Sequence, residues 1–340
     1  MRLSRLASIG IYWYFLFLLP HTLIPSNDLV IEHRLYFPSI GFIIFLTTTV
    51  IIIAEKTGGK YARILLSALV LIIIIFSVAA YKRNMVWQSE VLLWKDVVKK
   101  SPESMRGHFI LGLSYLNHGD YDYAIDEFRE TTILYSKYSE TKLFLEKIEQ
   151  VYLYMGLSYL QKADYDNAED MFRRTIALSN KNDQLLIDAY NGLGSLYINM
   201  NNYDKALEQF NNALKLYGGD IKTHINLGNY YIKVNDIDKA ITEFQFIANN
   251  NPDDLQAHFI LGLLFTEKTS YDEAVAEFKK DIIINRNRVE SHLKIGAIYF
   301  IMKKYNLAEE SLLKALSIDP LNIEAERLMK QLKITMTSRH

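Results

Sequence analysis

The sequence predicts an all-α chain in which N-terminal transmembrane helices precede an α-solenoid of stacked helical hairpins. Two observations carry that class. Residues 1–81 are strongly apolar, whereas residues 82–340 have the composition of an ordinary soluble protein. Downstream, one multi-position motif built on Gly, Tyr, Ala and Phe recurs six times, the mark of a repeat architecture. At 340 residues the chain has room for about two domains. A net charge of −1 supplies no basic field for nucleic acid. The absence of cysteine excludes disulfides, thiol nucleophiles and thiolate metal sites.

Three apolar stretches come first. Leu6 to Leu19 is closed by Pro20, Leu35 to Ala54 contains no charge, and Tyr61 to Tyr81 carries only Arg63. A spanning helix needs about 20 apolar residues. The second and third stretches reach that length, and the first does so only by running past Pro20. The first also has the basic start of a signal peptide, in Arg2 and Arg5. His21 to Pro25 is not a small-x-small cleavage site, so an uncleaved helix is expected. Ile72 to Phe76 lies in a run that is apolar on every face, which suits lipid. Arg2, Arg5, Lys56, Lys60 and Arg63 flank one side of these stretches and Arg34 the other. The basic side is expected to be cytoplasmic. That puts the N-terminus in the cytoplasm and the segment after the third span outside it, although Lys82 and Arg83 follow that span directly.

A short helix comes next. Val86 to Lys99 ends at Ser101-Pro102, ten residues before Gly112, just as Pro252 stands ten residues before Gly262. It reads as a lone second helix of a hairpin, with Trp94 in the large apolar position. The predicted organisation is a membrane region over 1–81, a connecting helix and half-repeat over 82–102, six repeats over 103–320, and a capping helix and tail over 321–340.

The six copies are, in order, Leu111-Gly112, Tyr115, Ala124, Phe128; Met155-Gly156, Tyr159, Ala168, Phe172; Leu193-Gly194, Tyr197, Ala206, Phe210; Leu227-Gly228, Tyr231, Ala240, Phe244; Leu261-Gly262, Phe265, Ala274, Phe278; and Ile295-Gly296, Tyr299, Ala308, Leu312. Successive glycines are 44, 38, 34, 34 and 34 residues apart. The pattern resembles the tetratricopeptide repeat. Each unit is a helical hairpin that cannot bury its own apolar face, so neighbours must stack. The Gly lets the first helix approach its partner, the Ala fills the facing position, and Tyr and Phe fill the space between hairpins. Asp or Asn in Gly-Asp-Tyr-Asp (119–122), Ala-Asp-Tyr-Asp-Asn (163–167), Asn-Asn-Tyr-Asp (201–204) and Asn-Asp-Ile-Asp (235–238) is placed to make the turn and cap the second helix. Ile323 to Leu332 is expected to cover the last exposed face.

His108, His224, His258 and His292 each stand four residues before a repeat glycine, where Tyr152 and Tyr190 stand in the other copies. The register assigns them to packing. Metal ligation, at about 2 Å per ligand, would need them together, and they are a hairpin apart. No metal or cofactor is expected.

By the tetratricopeptide resemblance, ligands bind on the face built from first helices, three residues before, one after and four after each glycine. These positions are apolar at both ends of the array and polar in the middle. Asn191, Ser195 and Asn229 occupy them there, with Lys222 and Asn226 nearby. Asparagine amides suit the backbone of an extended peptide, and apolar positions suit an amphipathic segment. A protein or peptide partner is the expectation.

One loop, residues 31–39, sets Glu32, His33 and Arg34 beside an apolar stretch. Together with Lys82-Arg83-Asn84, Trp87 and Leu93-Trp94, it resembles the last membrane segments of the transmembrane O-mannosyltransferases that carry C-terminal tetratricopeptide repeats. Those are GT-C type glycosyltransferases using polyprenyl-phosphate sugars. The resemblance would place Glu32, His33 and Arg34 on the active-site side, with the Arg34 fork meeting a lipid phosphate. It departs from the family in that the early spans and their acidic catalytic loop have no counterpart, so no complete active site is expected. Catalytic residues are therefore unassigned. The reading that follows is a membrane-anchored scaffold presenting an acceptor protein to such an enzyme. Its alternative is a non-enzymatic scaffold for a membrane or envelope complex.

Overall fold

The computed structural model describes residues 2–23, 36–57, 60–138, 148–179 and 183–337, which form helices and short turns. They fall into two compact units, residues 1–118 and 119–340.

The first unit contains α1 (Arg2–Leu23), α2 (Tyr36–Lys56), α3 (Ala62–Val86), α4 (Glu90–Lys100) and α5 (Met105–His118). Helices α1 and α2 meet at two glycines. A methyl on Gly10 would stand 2.7 Å from the Gly41 carbonyl, and one on Gly41 would stand 2.6 Å from the Gly10 carbonyl. The backbones thus touch where no Cβ intervenes, and Tyr14 packs on Phe42 beside the contact. Further on, α4 buries Val97, and the start of α5 lies on it, with Gly107 close to Val98.

The expected transmembrane helices are not found. Among the described residues no helix is long and apolar enough to cross a membrane. Each helix takes in polar or charged residues in or beside its apolar run. Helix α1 takes in Arg2, Arg5 and Pro20, and α3 takes in Arg63 near its start and Lys82-Arg83-Asn84 near its end. Helix α2 ends on Glu55-Lys56 and carries Thr47, Thr48 and Thr49, whose hydroxyls donate back to the carbonyls of Ile43, Ile44 and Phe45. The integral-membrane location and the topology built on it, N-terminus cytoplasmic and repeats extracytoplasmic, go with those spans. Several large apolar side chains of this unit stand open, Tyr12, Leu16, Ile64 and Tyr81 among them.

The second unit starts with α6 (Tyr121–Lys137). Five antiparallel pairs follow: α7 (Ile148–Gln161) with α8 (Tyr165–Leu178), α9 (Asp183–Asn199) with α10 (Tyr203–Leu216), α11 (Ile221–Lys233) with α12 (Ile237–Asn250), α13 (Leu255–Glu267) with α14 (Tyr271–Ile284), and α15 (Val289–Ile301) with α16 (Tyr305–Ile318). Helix α17 (Ile323–Thr337) closes the series. Each pair turns through one residue in the left-handed region, at Ala163, Asn201, Asn235, Thr269 and Lys303. The next residue is the N-cap of the second helix. Asp164, Asn202 and Asp236 accept there from the backbone N–H three residues on, satisfying a donor the helix leaves unpaired.

The Gly–Phe spacing sets the packing inside each pair. A methyl on Gly156, Gly194, Gly228 or Gly262 would fall 2.9, 2.3, 2.6 or 2.6 Å from the ring of Phe172, Phe210, Phe244 or Phe278. In the last pair Leu312 takes the ring's place against Gly296. The four rings are at most 1% exposed, and each burial stabilises the stack by roughly 1.5–3 kcal/mol. Between hairpins the core is continuous: Phe172, Leu193, Phe210 and Leu227 belong to one cluster across three pairs. Helix α17 buries Ala325, Met329 and Leu332 in the cluster of the last two pairs, so that the final hairpin is not left open.

Candidate functional site: the first-helix face

The central polar positions do not form one free patch. Asn191 is 2% exposed. Its amide donates to Thr223 Oγ1 at 2.8 Å and Asp220 Oδ2 at 3.4 Å, and its oxygen accepts from Asn226 Nδ2 at 3.0 Å. Asp220 also caps α11 by accepting from the Thr223 N–H. Asn191 therefore joins α9 to α11. Lys222 Nζ donates to Asp188 Oδ1 at 2.6 Å across the same pair of helices. Ser195 is half-buried and Asn229 is exposed.

What stays open around Asn229 is apolar. Ile225, one turn before it, is 37% exposed, and Ile232, nearly one turn after, is 38% exposed. On the neighbouring first helix Leu263 is 36% exposed, while Phe259 packs edge-on against Phe278 and carries the Arg288 guanidinium 4.1 Å above its ring. Towards the start of the unit, Leu153 and Leu160 are buried and Leu157 is half-buried. At its end, Leu293 is buried and Ala297 and Phe300 are half-buried. The face is thus most open over α11 and α13. Glu32, His33 and Arg34 lie outside the described residues.

Polar links between repeats are dense beside this face. Tyr197 Oη on α9 donates to Glu169 Oε1 on α8 at 2.8 Å, and Arg173 Nη2 donates to the same oxygen at 2.6 Å. Burial pushes the Glu169 carboxyl up, but these bonds outweigh it and hold the group below the usual carboxylate range. Lys162 pairs with Asp122, and Lys268 with Asp238, each bond tying one turn to the preceding second helix.

The four histidines are packing residues, each no more than 9% exposed. Nε2 of His108, His224 and His258 faces the carbonyl six residues earlier, at 2.9, 3.0 and 3.1 Å. Nδ1 of His224 and His258 faces Glu243 and Glu277. These carboxylates escaped the sequence reading, although each stands three residues after a repeat alanine.

A second cluster was also missed. Asp281 is fully buried, and Arg288 Nη1 donates to it at 2.8 Å. Ser291 Oγ is bonded to it as well. The signal was in the register. Other copies hold Thr131, Thr175, Ala213, Ile247 and Ala315 where Asp281 stands, all small or apolar.

Three family models, each described as a tetratricopeptide repeat, match the chain. One covers residues 147–219, one covers 92–138 and 225–283, and one covers 289–320. Together they cover more than half of the sequence. No curated protein matches. Among solved structures, one of MamA is 20% identical, with a TM-score of 0.43, covering 49% of this chain and 95% of that one. A MamA structure from Desulfovibrio magneticus RS-1 is 15% identical, with a TM-score of 0.44, covering 52% and 97%. The APC/C Cut9–Hcn1 heterotetramer gives 17% identity and a TM-score of 0.48, covering 96% of this chain and 53% of the matched one.

Proposed function

We propose that this chain, which belongs to the tetratricopeptide-repeat family, is a protein-binding scaffold that captures a polypeptide segment on the first helices α11 and α13. The open strip over those helices carries the reading. Ile225, Asn229 and Ile232 follow one another at helical spacing with Leu263 alongside, and all four remain accessible after the Gly–Phe core has closed behind them. Apolar side chains of a guest segment would cover the two isoleucines and Leu263. The Asn229 amide, with both a donor and an acceptor, would pair with the guest backbone. Asn226, Lys222 and Ser195 border the strip on the α9 side. Asn191 supports it from beneath, because its hydrogen bonds hold α11 in place.

A narrower version makes the captured segment an acceptor for a polyprenyl-phosphate-sugar glycosyltransferase. Only the resemblance of residues 31–39 and 82–94 to the O-mannosyltransferase family bears on it, and every family model matched is a repeat.

The test is selection of peptides from a displayed random library on the full chain, followed by titration of the enriched sequences. The expected result is that Ile225→Asp/Ile232→Asp/Leu263→Asp lowers affinity at least about 30-fold, from a loss of about 2 kcal/mol at such an anchor. Helix content should be unchanged, since the strip lies outside the core. Enriched peptides that bind the triple variant as tightly as the parent would overturn the reading.

A further inference from the structure

A pocket among α12, α13 and α14 shares none of its lining with the strip of Ile225, Asn229, Ile232 and Leu263. The pocket measures about 660 Å³. Its floor includes His258 and Leu261, its walls include Ala248 and Glu277, and Lys280 and Ile283 line its rim. Ile283 is 76% exposed, the most open large apolar side chain of the repeat pairs α7 to α16.

The repeat itself indicates what fits there. One period earlier, the corresponding place over His224 is filled by Phe246, whose ring stacks on the imidazole with centroids 3.8 Å apart and planes 26° apart. The two imidazoles are held alike. Each has Nε2 on the carbonyl six residues earlier and Nδ1 on a glutamate of the second helix, at 2.6 Å for His224 and 2.7 Å for His258. Thirty-four residues after Phe246 stands Lys280. It supplies no ring, and its ammonium donates to Glu277 Oε1 at 2.7 Å. In the second repeat the same position is Arg174, which covers the Tyr152 ring at 5.7 Å. Two copies thus cover the ring below from this position, whereas the Lys280 side chain is 55% exposed and turned to Glu277.

We propose that this pocket binds an aromatic side chain, phenylalanine or tyrosine, of a partner polypeptide, seated over His258 where Phe246 sits over His224. Ile283, Ala248 and Leu261 supply apolar contact. The stem of Lys280 swings aside to admit the ring and sets its ammonium against the electron-rich face of the guest. The chain already makes that pairing with its own rings, in Lys239 over Tyr231 and Lys205 over Tyr197.

The experiment uses the full chain with ¹³C-labelled histidine and N-acetyl-phenylalaninamide as the probe. The His258 resonance is assigned by its loss in His258→Gln. A saturable upfield shift of that resonance is expected, because an aromatic ring would stack on it, whereas His224, already covered, should not move. N-acetyl-leucinamide should give no such shift. Two variants move the site. Lys280→Phe fills the pocket from within and should abolish the response, and Phe246→Ala should open an equivalent one at His224. A His258 signal indifferent to the aromatic probe, or shifted equally by the leucine probe, would overturn the proposal. Should Lys280→Phe not fold, the Phe246→Ala arm still decides, since a His224 that stays silent once uncovered contradicts the stacking model.

Discussion

Single residues decide where this repeat series departs from regularity. Asp281 is a buried carboxylate whose charge is compensated by Arg288. Removing one partner of such a pair costs about 3–5 kcal/mol, whereas replacing the whole set with apolar groups is often nearly neutral. Urea unfolding should therefore show Arg288→Ala to be severely destabilising. Asp281→Ala/Arg288→Ala/Ser291→Ala, which removes the whole set and puts at 281 and 291 the alanines of Ala213 and Ala189, should cost far less. Equal losses in the two would mean the pair is not what holds α14 to α15. His292 gives the chain a pH dependence of known sign. Burial holds its pKa below the ordinary histidine value, and the Lys314 charge acts in the same direction against the opposing hydrogen bond to the Arg286 backbone. The unfolded chain then binds the proton more readily than the folded one. The stability is present above the ordinary value, about 6.5, and falls as pH drops below it. Thermal unfolding between pH 7.5 and 5.5 should lose less stability in His292→Gln than in the parent.

At the scale of the element, the glycine opposite each ring is the strictest constraint. A methyl at Gly228 would meet the Phe244 ring at 2.6 Å. Gly228→Ala should cost about 1–3 kcal/mol by overpacking. Phe244→Leu should restore part of it, because the smaller, flexible side chain that Leu312 supplies in the last pair can yield to a methyl more readily than a ring. Failure of that rescue, read by denaturant midpoint, would show that the cost lies in the backbone rather than the ring. Glycine and ring were legible as repeat positions sixteen residues apart, but the sequence set alanine against the glycine and the ring between hairpins, whereas the ring itself meets the glycine within the pair. The capping residues of three turns, Asp164, Asn202 and Asp236, were legible from their residue types between the repeat positions, whereas Asp120 makes no side-chain cap bond. The N-terminal stretches misled because apolar content was weighed by stretch, whereas the helices that form run on to include Arg2, Arg5, Lys82 and Arg83. Nor did the sequence reveal Asn191 as a buried link. Whether a first-helix position faces a neighbour or solvent depends on how successive hairpins are rotated, and the linear register does not carry that rotation.

At the scale of the molecule, each hairpin is stabilised by the next, and α17 ends the series by burying Ala325, Met329 and Leu332 on the last pair. Function follows from what this stacking leaves uncovered. The Gly–Phe core consumes the inward sides of every pair, and the polar ties between repeats consume Asn191, Lys222 and Glu169. Over α11 and α13 the strip of Ile225, Asn229, Ile232 and Leu263 stays open, the surface we propose for a partner. Hydrogen–deuterium exchange of the full chain with and without a library-selected peptide tests this most directly. Protection should rise over residues 221–233 and 255–267 and leave the second helices α10, α12 and α14 unchanged. Protection confined to those second helices, with 221–233 and 255–267 exchanging as in the free chain, would contradict the account.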